Sequence, residues 1–213
     1  TIYDTEDSLN LVKNIQHTLN INTQQFKPKA VYSKISSAKN KLIYPDEFET
    51  NARDLFTQEA ARVYLEYQKL LKQNNAMDFD DLLLKPIELF EKHPKTLSKY
   101  QDRFRFVLVD EYQDTNRAQY KLIKMIAQQY KNICVVGDDA QSIYRFRGAE
   151  IQNILDFEKD FSDSKVFRLE QNYRSSGLIL SAAGQVIKNN INRIEKSLWT
   201  ENALGDPITV TVC

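Results

Sequence analysis

The chain has 213 residues, and its 29 Lys and Arg residues balance its 29 Asp and Glu residues, so the formal net charge is zero. This length allows one domain and part of another, and 42% hydrophobic and 27% charged residues are ordinary proportions for a soluble globular protein. The charge balance excludes binding to nucleic acid through a general basic field, so any such contact must come from local patches.

The cysteine count and the hydropathy indicate in which cellular compartment the protein is expected. Cys134 and Cys213 lie far apart in the sequence, which predicts a reducing environment and neither a disulfide framework nor a metal site. No stretch approaches the roughly 18 apolar residues of a membrane span, and no signal peptide is visible. We therefore expect a cytoplasmic protein with no membrane partner.

The first third of the sequence has a helical pattern. Apolar residues recur at spacings of three and four over residues 4–22 and 46–74, which predicts two amphipathic helices. Asp4 or Thr5 can cap the first helix, and we expect the tyrosines of the second to pack in a core rather than stack on bases. The polar run 73–75 ends the second helix and predicts a domain boundary at residue 75.

A lysine-rich stretch lies between these two helices. Residues 26–45 contain five lysines and no acidic residue, with hydroxyl and amide side chains between them. Such groups contact phosphate backbones, so the stretch is a candidate DNA surface; a solvated helix face is the alternative. The lysines are Lys27, Lys29, Lys34, Lys39 and Lys41.

Three acids open the next segment, residues 77–83. Asp78, Asp80 and Asp81 could form a metal site, but acids are also favoured at the start of a helix, where they cap it and interact with its positive end. We therefore predict capping rather than metal binding here, followed by a further helix over residues 94–104.

The central element is the apolar run Phe106–Val109, which ends in Asp110 and Glu111. An unbroken apolar run predicts a parallel strand buried on both faces, and ligands lie at the carboxyl ends of such strands. One carboxylate there can bind Mg²⁺ while its neighbour orients or deprotonates a water molecule that attacks a phosphate. The alternative is that the two acids simply begin a solvated loop.

The remaining pattern predicts an α/β fold. A helix over 118–130 leads to a second buried strand over 133–136, and together with the first strand they form a right-handed βαβ unit. Residues 150–161 predict a helix, 166–169 a third strand, and 175–190 a last helix.

Three stretches of this sequence resemble motifs of a known family. Asp110–Asn116, Val136–Ala149 and Leu169–Ser176 resemble motifs II, III and IV of the UvrD/Rep/PcrA group of superfamily 1 DNA helicases, in that order and spacing. The resemblance extends along nearly the whole chain and is closest to the PcrA branch. It implies ATP and Mg²⁺ as cofactors.

The resemblance also divides the chain. It implies a helical domain 1B over residues 1–75, which faces duplex DNA ahead of the fork. It further implies the C-terminal part of ATPase domain 1A, a RecA-like P-loop NTPase parallel sheet with flanking helices, over residues 76–173. Residues 174–213 would begin domain 2A.

Five residues receive nucleotide-related roles from the resemblance. Asp110 would bind Mg²⁺, Glu111 would activate the attacking water, and Gln141 would sense the γ-phosphate. Tyr173 would stack on adenine, and Arg174 would neutralise charge in the transition state. The alternatives are a loop hydrogen bond for Gln141 and a structural ion pair for Arg174.

Four residues are implied to contact single-stranded DNA: Phe79, Tyr144, Phe146 and Arg147. Aromatic faces accept bases of any sequence. The family usually has Trp where Phe146 stands, so we expect less stacking area at this position but the same role.

The function implied is an ATP-dependent helicase that moves 3′ to 5′ on single-stranded DNA and unwinds forked duplexes in replication or repair. The 213 residues contain no Gly-x-x-x-x-Gly-Lys-Ser/Thr loop, so we expect an internal fragment that is inactive alone. A non-catalytic DNA-binding or scaffold relative and the helicase part of a recombination nuclease stay open. A phosphate loop upstream of Thr1 would argue against the first, and a nuclease domain after Cys213 would indicate the second.

Overall fold

The computed structural model describes residues 1–190 and 196–211, without the side chain of Arg147. Within these ranges the fold is α/β, with ten α-helices and two parallel sheets of two strands each. The strands are β1 (Ile2–Tyr3), β2 (Met77–Asp78), β3 (Val107–Val109) and β4 (Ile133–Val135). The helices are α1 (Thr5–Thr18), α2 (Pro28–Asn40), α3 (Pro45–Thr50), α4 (Leu55–Gln73), α5 (Asp81–Lys92), α6 (Pro94–Arg103), α7 (Arg117–Ala127), α8 (Gln152–Leu155), α9 (Phe157–Asp160) and α10 (Gly177–Ile187).

Helices α1 to α4 pack with β1 and β2 into one unit, residues 1–78, called here the helical unit. The predicted first helix is confirmed, and Asp4 caps it through a reciprocal capping box with Asp7. The core of the unit is a single apolar cluster drawn from all four helices. Its most deeply buried members are Val12, Val31, Ile35, Ala60, Val63, Tyr64 and Tyr67.

The prediction of one helix over 46–74 is wrong, because the chain breaks between α3 and α4. Asp54 lies in the break and accepts a hydrogen bond from the Thr57 N–H at 2.9 Å, which starts a new helix there. The prediction that the tyrosines pack in a core is confirmed, since Tyr64 and Tyr67 are fully buried. Asp54 was the sequence signal for a second helix, because Asp is a favoured N-cap residue.

The end of the helical unit returns to its beginning. Strand β2 pairs in parallel with β1, with Ile2 opposite Met77 and Tyr3 opposite Asp78. Ala76 also belongs to the core of the unit. The unit therefore includes the residues just after position 75, while the assignment of residues 1–75 to a separate domain stays a prediction.

A buried ion cluster lies where β2 meets α2 and α5. The Lys39 ammonium lies 2.7 Å from an Asp78 oxygen and 3.0 Å from an Asp81 oxygen, and all three side chains are almost completely buried. The Tyr67 hydroxyl donates a further hydrogen bond to Asp78 at 2.9 Å. The interpretation of Lys39 as a phosphate contact is therefore wrong, because its charge is used inside the protein.

The acids of residues 77–83 meet the capping prediction in part, because Asp80, directly before α5, makes no side-chain cap hydrogen bond. Asp78 accepts a hydrogen bond from the Asp81 N–H at 2.8 Å, at the start of α5. Asp80 accepts one from the Asn40 amide at 3.0 Å. Burial raises the pKa of the Asp80 carboxyl, with hydrogen bonds from Ser36 and Asn40 opposing the shift. These acids join the helical unit to the start of α5.

The second part of the fold, residues 81–190 and 196–211, contains β3 and β4 and is called here the sheet unit. The two strands pair in parallel, as predicted, with Leu108 opposite Cys134. The prediction of burial on both faces is wrong, since Leu108 is 79% exposed and the free Cys134 is exposed too. The described residues supply one strand pair and no layer over this face. Cys213 lies outside the described residues.

The other predictions for the sheet unit have mixed outcomes. Helices α6, α7 and α10 are confirmed within a few residues at each end, whereas residues 150–161 form two short helices rather than one. The predicted strand over 166–169 is wrong, because this exposed stretch finds no neighbouring strand with which to form a ladder. No helix in the described ranges is long and apolar enough to cross a membrane.

We expect Lys39→Met to lower the free energy of unfolding of this chain by roughly 3–5 kcal/mol, because it leaves two buried carboxylates without their counter-ion. Urea denaturation followed by circular dichroism measures the change. The matched control is Lys29→Met, an exposed lysine on the same helix, which should shift the free energy by less than about 0.5 kcal/mol. Equal shifts for the two variants would contradict the account of the ion cluster.

Candidate nucleotide and nucleic-acid site

The two carboxylates of the central motif lie directly after β3. Asp110 and Glu111 are exposed, and an Asp110 oxygen accepts a hydrogen bond from the Glu111 N–H at 2.9 Å. Glu111 has a left-handed backbone conformation, with φ 49° and ψ 43°, which is uncommon for a residue with a side chain and is concentrated at functional sites. This conformation turns the chain into a 3-10 turn over Tyr112–Asp114.

The Gln113 side chain connects the ends of both strands. Its amide nitrogen donates to a Glu111 carboxylate oxygen at 2.8 Å, and its amide oxygen accepts from the Asp138 N–H at 3.0 Å. The residue is 1% exposed. Because Asp138 follows β4, this one buried amide holds the acid after β3 against the backbone after β4.

Gly137 makes room for that amide. A Cβ at this position would lie 2.6 Å from the Gln113 side-chain oxygen and 2.9 Å from the Ile154 Cδ1 atom. Both distances are shorter than real Cβ contacts allow, so a Cβ here would displace the ends of the Gln113 and Ile154 side chains; the glycine provides space rather than a special backbone angle. After β4, Gly137 therefore leaves space for the Gln113 side chain, and the Asp138 N–H donates to its oxygen.

Asp138 collects further partners at the same edge. Its carboxylate accepts hydrogen bonds from the Gln141 amide at 2.9 Å and from the Lys196 ammonium, and Lys196 also reaches Asp139 at 3.3 Å. Burial would raise the pKa of the Asp138 carboxyl, but the hydrogen bonds from Lys196, Gln141 and the Ala140 N–H together lower it below its ordinary value. Asp138 therefore stays ionised and anchors Gln141.

A hollow of about 340 Å³ opens beside the β3 carboxylates. Asp110, Glu111 and Asp114 line it, together with apolar residues of α5 and α7. One Asp114 oxygen is buried there with no hydrogen-bond partner among the described residues. Mg²⁺ prefers hard oxygen ligands and needs only one or two carboxylates when phosphates and water complete its shell. The Asp110 carboxylate, with phosphate and water oxygens, fits this requirement, and the described residues form no group of three or more His, Cys, Asp or Glu side chains that would hold a metal ion by themselves.

A second hollow of about 430 Å³ is lined by Gln141, Gln171, Asn172, Tyr173 and Arg174. The structure thus brings together the three residues predicted to contact the nucleotide outside the carboxylate pair. The two hollows share no lining residue, so Gln141 and Arg174 do not join Asp110 and Glu111 in one cavity of this structure. The volumes of both hollows are in the range of small-molecule sites.

Asn172 fixes the turn that carries Tyr173 and Arg174. Its side-chain oxygen accepts hydrogen bonds from the backbone N–H groups of Arg174 at 3.0 Å and Ser175 at 2.8 Å. Its own N–H donates to the Trp199 carbonyl at 2.7 Å. Tyr173 and Arg174 are exposed, so the turn presents a ring and a guanidinium to the hollow on a fixed backbone.

Two of the predicted DNA contacts lie together on a 3-10 turn after Gln141. The rings of Tyr144 and Phe146 are 6.0 Å apart at an angle of 46°, and Phe146 is 78% exposed. Gly148 ends the turn with φ 87°, a left-handed angle that favours glycine. Phe79 is 55% exposed between β2 and α5, away from this turn in sequence. The side chain of Arg147 lies outside the described part of the chain.

Sequence reasoning missed four residues that organise the site: Gln113, Asp138, Asn172 and Lys196. Asn172 had a readable signal, because the side chain of Asn in a turn commonly accepts a hydrogen bond from the backbone two residues on. Gln113 and Asp138 had none beyond their places next to the strand ends. Lys196 is 58 residues from Asp138, and no local pattern predicts such a pair.

With the geometry established, comparison with known proteins identifies the family. A family model described as the UvrD/REP helicase N-terminal domain matches residues 1–162. This chain belongs to the UvrD/Rep helicase family. The resemblance inferred from the three motifs is therefore confirmed.

The similar relatives of this UvrD/Rep chain include three proteins named ATP-dependent DNA helicase PcrA. The chain is 51% identical over 209 residues to the protein from Bacillus subtilis strain 168, and 49% identical over 208 residues to those from Staphylococcus epidermidis strain RP62A and Staphylococcus aureus strain Mu50. Each match covers 98% of this chain and 28% of the relative. The chain is thus PcrA-type and spans 28% of the length of these relatives.

We expect Gly137→Ala to lower the free energy of unfolding of this UvrD/Rep chain by roughly 1–3 kcal/mol, because the added Cβ overpacks the Gln113 amide. Gly184→Ala is the control: it lies in α10 with nothing within 4 Å of the added Cβ, and should raise stability by about 0.5–1 kcal/mol. Urea denaturation measures both. A neutral Gly137→Ala variant would contradict the tight packing around the Gln113 amide.

Proposed function

We propose that this chain forms part of an ATP-dependent DNA helicase that couples ATP hydrolysis to 3′-to-5′ movement on single-stranded DNA and to duplex unwinding in replication or repair. The observation that carries the proposal is the arrangement of the two strand ends: Glu111 after β3 is tied through Gln113 to the loop after β4 that holds Gln141. The names of the relatives, ATP-dependent DNA helicases, support it.

The proposed domain assignment follows from the same comparison. Residues 76–173 are the C-terminal part of a RecA-like ATPase domain 1A, residues 1–75 form domain 1B, and residues 174–213 begin domain 2A. The parallel pairing of β3 with β4 supports the first assignment, since ligands bind at the carboxyl edge of parallel sheets. Tyr173 and Arg174 then stand where domain 2A begins.

At the nucleotide, each residue has a separate task. Bound Mg²⁺ supplies positive charge to the phosphates, and Asp110 would hold it. Glu111 accepts a proton from the attacking water, and the exposed carboxylate is free of any buried ion pair among the described residues. Gln141, anchored by Asp138, and Arg174, on the Asn172 turn, donate hydrogen bonds toward the transferred phosphate. Tyr173 offers its ring face to adenine.

At the DNA, the exposed aromatics provide stacking surfaces. Phe146 and Tyr144 lie on the turn that follows Gln141 by only a few residues, so movement at the phosphate sensor reaches the bases through a short segment. Phe79 and Arg147 complete the proposed single-strand contacts, and stacking accepts any base. This short connection is how we propose that hydrolysis drives translocation along single-stranded and forked DNA.

The 213 residues alone are not expected to hydrolyse ATP. Holding the β- and γ-phosphates requires a row of backbone N–H groups and a lysine, and the sequence contains no Gly-x-x-x-x-Gly-Lys-Ser/Thr loop that would provide them. Tests of turnover and DNA binding therefore use the complete helicase rather than these 213 residues.

In the complete helicase, Glu111→Gln should lower kcat for DNA-stimulated ATP hydrolysis by at least about 100-fold, because the amide cannot accept the proton of the attacking water. Nucleotide affinity should change little, since Glu111 is not assigned to binding. Steady-state ATPase assays and titration with a fluorescent nucleotide measure the two quantities. The control is Glu158→Gln, an exposed glutamate on α9. Near-normal turnover of Glu111→Gln would refute the assignment.

Phe146→Ala should weaken binding of the complete helicase to single-stranded DNA by roughly 1–3 kcal/mol, the value of one stacked base. Fluorescence anisotropy with a labelled oligonucleotide measures the affinity. Phe167→Ala removes an equally exposed ring that has no proposed role, and its affinity should match the wild type. If Phe146→Ala loses folding stability while keeping its DNA affinity, Phe146 is a packing residue instead.

A further inference from the structure

The orientation of the Gln113 amide is determined by its partners. The backbone N–H of Asp138 can only donate, so the amide atom 3.0 Å away must be the oxygen. The amide nitrogen then necessarily faces the Glu111 carboxylate at 2.8 Å, and more distantly the Asp114 carboxylate at 3.5 Å. A carboxylate accepts hydrogen bonds, so both contacts are satisfied in this orientation and in no other.

The amide is also held in place on every side. Gln113 is 1% exposed, and at Gly137 there is no space for a Cβ beside the Gln113 side-chain oxygen. The Gln113 backbone carbonyl accepts a hydrogen bond from the Ser142 hydroxyl at 3.4 Å. Two of these contacts come from the loop after β4. A buried side chain with so few alternatives cannot turn away from Glu111 while that loop stays where it is.

We propose that Gln113 is a positioning residue for Glu111, which it holds through one carboxylate oxygen so that the other faces the water to be activated. This inference rests on the proposed function, because it gives Glu111 the role of the water-activating acid. Positioning is necessary here because Glu111 is exposed and lies on a left-handed backbone. Without a partner its flexible side chain would sample many rotamers.

The same contact transmits movement. Gln141 binds the Asp138 side chain and Gln113 binds the Asp138 backbone, so one residue is shared by the phosphate sensor and the positioning residue. A displacement of the loop after β4 therefore moves the Gln113 amide and with it the Glu111 carboxylate. Glu111 is held in its working position only when this loop is held in its own.

The competing explanation is that Gln113 merely fastens β3 to β4. The variant Gln113→Glu separates the two roles when it is assayed at alkaline pH, where the new carboxyl group is ionised. It then keeps the size of the side chain and an oxygen that accepts the Asp138 N–H, but it has no donor facing Glu111. Strand fastening survives in this variant, whereas positioning does not. Gln16→Glu is the matched control: Gln16 is also fully buried and its amide donates at 2.7 Å to the Phe26 carbonyl, in the helical unit.

In the complete helicase, Gln113→Glu should lower kcat for ATP hydrolysis by roughly 10–100-fold, the scale of a misplaced catalytic group, while KM for ATP stays nearly unchanged. Gln16→Glu should lower thermal stability without this selective loss of kcat. The decisive measurement repeats Gln113→Glu in a Glu111→Gln background. In that background, Gln113→Glu should lower the residual turnover by much less than it lowers the turnover of the wild type. The reason is that mutations of residues acting as a unit have strongly non-additive effects.

The double variant has a second readout. In Glu111→Gln combined with Gln113→Glu, the amide at position 111 can donate to the carboxylate at position 113, so the hydrogen bond is restored with its donor and acceptor exchanged. This double variant should therefore melt at a higher temperature than Gln113→Glu alone, while it stays inactive. A kcat near the wild type for Gln113→Glu, or an equal fold-loss in both backgrounds, would overturn the positioning role. Full turnover of Glu111→Gln itself would instead overturn the proposed function. If Gln113→Glu does not fold, Gln113→Met, which loses both contacts, is compared in the two backgrounds by kcat alone, and the positioning role again predicts a smaller loss in the Glu111→Gln background.

Discussion

The parallel pairing of β3 with β4 is the constraint on which the candidate site depends. Val107 lies opposite Ile133 and Val109 opposite Val135, so both strands end at the same edge. The ladder continues beyond them, since the Val136 N–H donates to the Val109 carbonyl at 2.8 Å and the Tyr112 N–H donates to the Val136 carbonyl at 2.9 Å. Any other register would separate Gln113 from Asp138 and leave Glu111 without its partner.

The helical unit is joined to this edge by polar contacts rather than by apolar burial alone. Asn40, at the end of α2, contacts Asp80 at 3.0 Å and the Asn116 amide at 2.5 Å, and Asn116 caps α7 directly after the central motif. One residue away, Lys39 forms ion pairs with both Asp78 and Asp81 inside the protein. Such buried ion pairs contribute little net stability, and they offset the cost of burying their charges only when their atoms are well placed. The helical unit is therefore fixed in orientation toward the end of the central motif.

The sequence was sufficient for features with a local physical cause. Helix α1 followed from its apolar spacing and its Asp4 cap, and the parallel strand pair followed from two apolar runs separated by a helix. Local pattern could not reveal partners that are distant in the chain. Lys39 looked like a phosphate contact because its partner Asp78 is 39 residues away.

Burial was the other quantity that local pattern could not supply. An apolar run predicts a buried strand only if other elements cover it, and Leu108 shows that the described residues do not. The run 166–169 failed as a strand for the related reason that a ladder needs a neighbour. Among the site residues, the carboxylates and the exposed aromatics were recognisable by type. Gln113 was not, because its importance lies in two contacts made across the strand ends.

The central proposal is that the ends of β3 and β4 and the turn carrying Tyr173 and Arg174, which line two separate hollows in this structure, come together around one nucleotide. The most direct test is an experimental structure of the complete helicase with Mg²⁺ and a non-hydrolysable ATP analogue. The account predicts the metal at Asp110, a water molecule between Glu111 and the γ-phosphate, Gln141 and Arg174 at that phosphate, and the adenine ring on Tyr173. A bound nucleotide whose γ-phosphate lies out of reach of both Glu111 and Arg174 would contradict it.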